Sequence, residues 1–275
     1  MSQTGNHRPT ISTINLDDLA FNFRSVRQFV GEDVRYLAVV KADAYGHGAV
    51  QCSKRLEAEG IDWFGVALPE EAVELRDSGI QKPILCMGGF WPGQEELLLR
   101  YRITPAISSI EQAEMLNRFA ANRGVTADIH IKIDTGMGRI GVRVDEAGDC
   151  ADKLCKLNNL RVAAMMSHLA AADNLSENEF TDEQISAFSR AVETFRDKGI
   201  RPDFVDLANS PGAVAHAASR KDMVRLGGVL YGLGGDVLPK GIPTPELRPI
   251  LSLQTEVSHI KRVPAGESLG YGRSF

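Results

Sequence analysis

Lys41 is the residue of this sequence best placed for covalent chemistry. The apolar run Tyr36–Val40 delivers it to a strand end, and the short turn Ala42-Asp43-Ala44-Tyr45-Gly46-His47-Gly48 follows at once. An ammonium leaving a buried strand is poorly solvated, so its pKa is expected to fall toward the neutral nucleophile that forms a Schiff base with an aldehyde. A lysine snorkelling to the surface is the plainer reading of Val-Val-Lys taken alone. Further polar clusters recur downstream. Arg139 closes the turn Asp134-Thr135-Gly136-Met137-Gly138-Arg139, and His168 ends an apolar run. Asn209-Ser210-Pro211 reads as a helix N-cap with proline in the first turn, and its free N–H groups suit a phosphate. Arg225 stands inside an apolar strand, where a guanidinium that cannot deprotonate needs an acceptor. The bare backbone of Gly227-Gly228 lets N–H groups approach phosphate oxygens, or simply permits tight packing. His168 alone is as readily a satisfied core histidine.

These residues need a frame that brings them together. Near-continuous apolar strands are expected at Tyr36–Val40, Trp63–Leu68, Pro83–Met87, Ile103–Ile107, Ala127–Ile133, Leu160–His168, Phe204–Leu207 and Met223–Leu226. Amphipathic stretches such as Ala49–Glu59, Glu70–Ser78, Ser109–Ala121 and Asp182–Lys198 lie between them. Parallel strands covered on both faces have this pattern, and eight such units make an α/β fold of the (β/α)8 TIM-barrel type. In that fold catalytic groups follow the C-terminal ends of strands, and all five clusters do. A doubly wound open sheet is the rival, but no Gly-x-Gly-x-x-Gly opens the first helix. Ahead of the barrel, Ile11–Leu16 reads as a strand and Asp17 as the cap of a helix ending near Val30. After the eighth strand, Gly234–Pro249 is a proline-rich linker by composition, and Leu251–Val257 alternates as a half-buried strand without neighbours. The expected division is a barrel over residues 12–240 and the start of a truncated, β-rich C-terminal domain over residues 241–275, with residues 1–11 packing against it.

The totals exclude several classes. A net charge of -5 without a basic cluster argues against nucleic acid or an anionic membrane as partner. Cys52, Cys86, Cys150 and Cys155 show no metal-ligand spacing, so no metal and no disulfide framework is expected. Free thiols suit a reducing compartment, and the polar N-terminus lacks the apolar core of a signal peptide. A cytoplasmic location is therefore expected, and no run of about 18 apolar residues could span a membrane.

The string from Lys41 to Gly48 resembles the signature of pyridoxal-phosphate-dependent alanine racemases. The resemblance runs from about Thr10 to Phe275 through Lys132-Ile133-Asp134-Thr135-Gly136-Met137-Gly138-Arg139, Ser167-His168, Asn209-Ser210, Val224-Arg225-Leu226-Gly227 and Gly270-Tyr271-Gly272. It implies an isomerase that interconverts L- and D-alanine for peptidoglycan, a cytoplasmic homodimer with alanine as substrate. By resemblance, Lys41 carries pyridoxal 5'-phosphate, while Tyr45, Asn209, Ser210, Gly227 and Gly228 belong to the phosphate end. His168 packs along the ring and Arg225 faces the pyridine nitrogen. The resemblance makes Lys41 and Tyr271 the two bases, the tyrosine reaching in from a partner subunit. Arg139 positions the substrate carboxylate, and Lys132 matches a lysine often carbamylated in the family. The family's β-domain continues beyond the position of Phe275. That departure leaves two alternatives: a non-catalytic pyridoxal-phosphate-binding barrel that carries cofactor, or an inactive truncated product.

Overall fold

In the computed structural model, which describes residues 8–273, eight strands close into a parallel barrel. The strands of the chain are β1 (Ile11–Ile14), β2 (Arg35–Val39), β3 (Trp63–Val66), β4 (Ile84–Cys86), β5 (Ile103–Ile107), β6 (Ala127–Asp134), β7 (Val142–Arg143), β8 (Leu160–Met166), β9 (Phe204–Asp206), β10 (Met223–Leu226) and β11 (Leu251–Gln254). The ring runs β2-β3-β4-β5-β6-β8-β9-β10 and returns to β2, with β7 a two-residue addition beside β6. Two pairings make the closure: Ala106 opposite His130 between β5 and β6, and Arg225 opposite Leu37 between β10 and β2. The eight expected strands all form. Their bounds agree with the expected ones to within one or two residues, and β8 ends at Met166, so His168 lies just beyond it rather than in it.

Why the barrel is a packed core follows from what its strands point inward. Leu37, Val39, Leu85, Ala106, Ala164, Met166, Phe204 and Met223 form one buried cluster, with Trp63 and Met87 against it. His130 joins them, its ring centroid 5.3 Å from those of both Trp63 and Phe204. Burial drives its pKa down to about 3, with Arg225 adding to the effect, so it is a neutral ring serving as core.

The helix before the barrel spans Leu16–Val30 and buries Leu19, Phe23, Val26 and Val30. Its cap is Asn15, not Asp17. The Asn15 side chain accepts from the Asp17 and Asp18 N–H groups, and this leaves both carboxylates in the first turn, where the helix dipole favours them.

The chain divides into two compact units, Asn15–Ile250 and a smaller one holding residues up to Ile14 and from Leu251 onward. The barrel unit thus runs ten residues past the boundary that composition suggests. The reason is Asn22. Its buried amide donates to the Leu230 and Arg248 carbonyls and accepts from Arg248 N–H at 2.7 Å, which ties the proline-rich segment to the first helix. Ile250 is buried accordingly. Gly232, at φ +80°, lies so close to the Arg248 carbonyl that no side chain fits there.

In the smaller unit β1 and β11 pair antiparallel, Ile11 opposite Gln254 and Ile14 opposite Leu251. The strand expected over Leu251–Val257 therefore stops at Gln254 and does have a neighbour. Thr10 and Thr255 hydroxyls meet at 2.8 Å beyond its end. Tyr271 lies in a short 3-10 turn, Tyr271–Arg273, and is fully exposed. Among the described residues no helix is long and apolar enough to cross a membrane.

The neutral core histidine has a measurable consequence. His130 titrates near 6.5 when unfolded but near 3 when folded, so below pH 6.5 the unfolded chain binds the extra proton. Stability is expected to be fully present above pH 6.5 and to fall as pH drops toward 3, by up to about 1.4 kcal/mol per pH unit from this group. Denaturant unfolding of His130→Leu between pH 7 and 4 should show a shallower fall; an unchanged slope would count against the assignment.

Candidate active site

Beyond the C-terminal ends of the strands lies a cavity of about 480 Å³. Its wall includes Lys41, Tyr45, Lys132, Arg139, His168, Asn209, Ser210, Arg225, Gly227 and Gly228. Ten of the eleven site residues expected from sequence thus converge in one unit; Tyr271 belongs to the other. Val39, Met87, Met166 and Val237 supply apolar wall that sequence did not single out.

Lys41 is held by an unusual piece of backbone. Ala42, Asp43, Ala44 and Tyr45 all have φ between +52° and +56°, one turn of left-handed helix. For L-residues this costs roughly 1–2 kcal/mol each, on the order of 5 kcal/mol for the four. Side chains from both flanks hold it. Glu71 accepts the Ala42 N–H at 2.6 Å with one carboxylate oxygen, and the Ala67 and Leu68 N–H groups with the other. Asp43 accepts from Ala49 N–H, and the His47 ring stacks on Tyr231 at 4.8 Å. Tyr231 in turn donates to the Val39 carbonyl on the strand that ends at Lys41. The lysine is therefore aimed by a rigid turn.

Beyond the neighbouring strand β10 the backbone forms a cradle. The Ser210 hydroxyl accepts the Gly227 N–H at 2.9 Å. A Cβ at Gly227 would sit 3.0 Å from the Tyr45 hydroxyl and 4.0 Å from that of Ser210. Glycine leaves this space free for a group that two hydroxyls can reach. Burial holds the Tyr45 pKa above its ordinary value, so its phenol stays a donor. Asn209 caps the helix Ser210–Ala215, accepting from Gly212 N–H and donating to the Leu169 carbonyl.

The remaining wall is cationic. Lys132, only 4% exposed on β6, has its pKa pushed well down by burial and then by Arg225 and Arg139. Arg139 sits on a turn made by Asp134, whose carboxylate accepts from Gly136 and Gly138 N–H groups at 3.0 Å. Arg225 donates to the Ser167 and Leu207 carbonyls and to His168 Nδ1 at 3.2 Å. An arginine can only donate, so His168 must accept at Nδ1 and carry its proton on Nε2. Burial, then Arg225, pushes the His168 pKa down to about 2, which agrees with a neutral ring. The acceptor that a buried arginine requires is Asp206, in ion-pair contact with Arg225 Nη1. An aspartate inside Phe204-Val205-Asp206-Leu207 was the available signal, and the sequence reading passed over it. Glu71 carried no such signal, because its bonds join segments far apart in the chain.

Among the described residues, four basic side chains line the cavity, Lys132 the least readily charged of them, and no carboxylate does. Such a wall suits an anionic guest, and the glycine-backed hydroxyl pair suits a phosphate. A barrel with a lysine at one strand end and this cradle at the next has the parts that an enzyme working with a phosphorylated cofactor needs. Comparison with known proteins narrows this. The family model for the alanine racemase N-terminal domain matches residues 14–234. The alanine racemase of Halothermothrix orenii is 38% identical over 270 residues, 98% of this chain and 70% of the relative. That of Geobacter sulfurreducens is 39% identical over 272 residues, with the same two shares. Among solved structures, alanine racemase from Clostridium difficile 630 superposes with a TM-score of 0.86 at 34% identity, covering 97% of this chain and 70% of that one. The Bacillus anthracis enzyme with bound L-Ala-P gives 0.87 at 30%, covering 99% and 70%. The chain belongs to the alanine racemase family. It is an enzyme of that family, and the family depends on pyridoxal 5'-phosphate.

Glu71 gives the site's mechanical test. Glu71→Ala strips acceptors from three backbone N–H groups and is expected to destabilise the fold by about 2 kcal/mol. Denaturant unfolding reads this directly; a loss below about 0.5 kcal/mol would mean the left-handed turn stands without it.

Proposed function

We propose that this enzyme interconverts L- and D-alanine by moving the α-proton between two bases on opposite faces of the substrate. The observation that carries the proposal is the cavity wall: Lys41 on its rigid turn, four basic side chains with no carboxylate among the described lining residues, and the open space at Gly227. When bound, pyridoxal phosphate supplies the electron withdrawal that makes an α-proton removable. The protein's residues supply the rest. Tyr45, Ser210 and the backbone at Gly227 and Gly228 bind the phosphate, with Asn209 fixing the turn that presents Ser210. His168 would pack along the ring. Arg225 would donate toward the ring nitrogen and, keeping its own protons, would disfavour protonation there, which restrains side reactions.

Lys41 would hold the cofactor and would serve as one base at the substrate's α-carbon. Tyr271 from a second copy of the chain is the other, so the working form is a homodimer. A phenol needs a cation beside it to act as a base near neutral pH. Arg139 fills that role and binds the substrate carboxylate. Lys132 has the environment for carbamylation: burial, with Arg225 and Arg139 beside it, favours the unprotonated amine, and addition to carbon dioxide forms an N–C bond with loss of one proton. The resulting anion pairs with Arg139 and anchors it. The enzyme's place is the bacterial cytoplasm, where D-alanine supplies peptidoglycan.

The test is L-alanine incubated with the protein and pyridoxal phosphate in D2O, followed by NMR and a chiral assay. D-alanine deuterated at the α-carbon is expected. Tyr271→Phe should cut inversion by about a hundredfold or more while α-exchange persists from one enantiomer; undiminished inversion would remove Tyr271 from the mechanism. Lys41→Ala should abolish the visible cofactor band, and a retained band would refute the role of Lys41. Carbamylation is read separately, as a carbon-13 carbamate signal after exposure to labelled carbon dioxide that Lys132→Ala loses.

A further inference from the structure

Asp206 ends β9 with its side chain wholly sealed from solvent, against Arg225 Nη1. Arg225 lines the cavity and Asp206 does not, so the carboxylate lies behind the guanidinium as seen from the cavity. Among the described residues no other hydrogen-bond donor reaches either Asp206 carboxylate oxygen. The other end of the guanidinium, Nη2, is already oriented by the Ser167 and Leu207 carbonyls and by His168 Nδ1.

Position alone therefore does not call for a charge at residue 206. A carboxylate in the interior is costly unless it is paired, and a neutral acceptor would satisfy Nη1 equally well. What the charge adds is compensation. The titratable groups around Arg225 are Lys132 on β6, Arg139 beyond β6, His168 beyond β8, His130 in the barrel core and Lys41 beyond β2. The two histidines are neutral and the others are basic; Asp134, beyond β6, carries a negative charge that reaches Lys132, and Asp206 is the carboxylate in contact with Arg225 itself.

We propose that Asp206 is a positioning residue for the reaction: its carboxylate fixes Arg225 and offsets the guanidinium charge, making the guanidinium a weaker hydrogen-bond donor toward the cavity than an uncompensated arginine. The inference rests on the proposed placement of the cofactor ring against Arg225. The ion pair, rather than the arginine alone, then sets how strongly a ring nitrogen is polarised. Removing the negative charge makes the cavity more positive, so any protonated nitrogen within it releases its proton at lower pH.

Two measurements on the full chain separate the possibilities. The first is a thermal-unfolding cycle on cofactor-free protein with Asp206→Asn, Arg225→Met and the double variant. Pairing predicts that the double variant loses less than the sum of the single losses; additive losses would overturn the pairing. The second is the pH midpoint at which the visible band of the pyridoxal-phosphate-loaded protein changes. Asp206→Asn should lower this midpoint by about one unit, a tenfold change in proton affinity. Coupling in the cycle with an unmoved midpoint would make Asp206 a structural partner only and overturn the proposal. If the unsubstituted protein shows no Lys41-dependent band, the functional reading itself fails and takes this inference with it, while the cycle still reports the ion pair.

Discussion

The Arg225 guanidinium is the constraint around which the cavity is built. It lies inside the barrel, 3% exposed, where water cannot solvate it and the protein must supply its acceptors. They come from the carbonyls of Ser167 and Leu207, from His168 and from Asp206, so the ends of β8 and β9 are drawn toward β10. Ser167 N–H in turn bonds the Asp206 carbonyl, which stitches the same two strand ends together through backbone. Once the guanidinium is fixed, the tautomer of His168 and the depressed basicity of Lys132 follow from its charge and their burial.

The anion cradle is built differently. Its parts, Tyr45, Ser210 and Gly227, come from three βα units, and only the last two are joined by a direct hydrogen bond. A missing Cβ does more here than any attractive contact, because it keeps the volume open. The cavity thus combines one wall defined by charge with another defined by absence of bulk.

The sequence made the barrel legible because parallel strands buried on both faces leave long apolar runs, and eight of these punctuate the chain. It made the convergent residues legible because side chains at the C-terminal ends of strands meet in this fold, as Lys41, His168, Asn209 and Arg225 do. Features that depend on distant segments meeting were not legible. Asn22 reads as an ordinary helix residue, yet it determines that the proline-rich segment through Ile250 belongs with the barrel. Glu71 reads as first-turn helix acid and serves a neighbouring loop. Asn15 displaced Asp17 as cap for a local reason: a side chain that reaches two free N–H groups from outside the first turn is the better cap.

The left-handed turn after Lys41 also bears on the order in which the molecule assembles. Four successive residues in that conformation cannot persist in an isolated peptide, and what holds Ala42 in place is a carboxylate from the following βα unit. Tyr231, which braces the same turn through His47, arrives from the far end of the barrel, nearly two hundred residues later. The end of β2 that carries Lys41 is consequently shaped only when the ring closes, and a partly folded barrel presents Lys41 on a loose, ordinary loop.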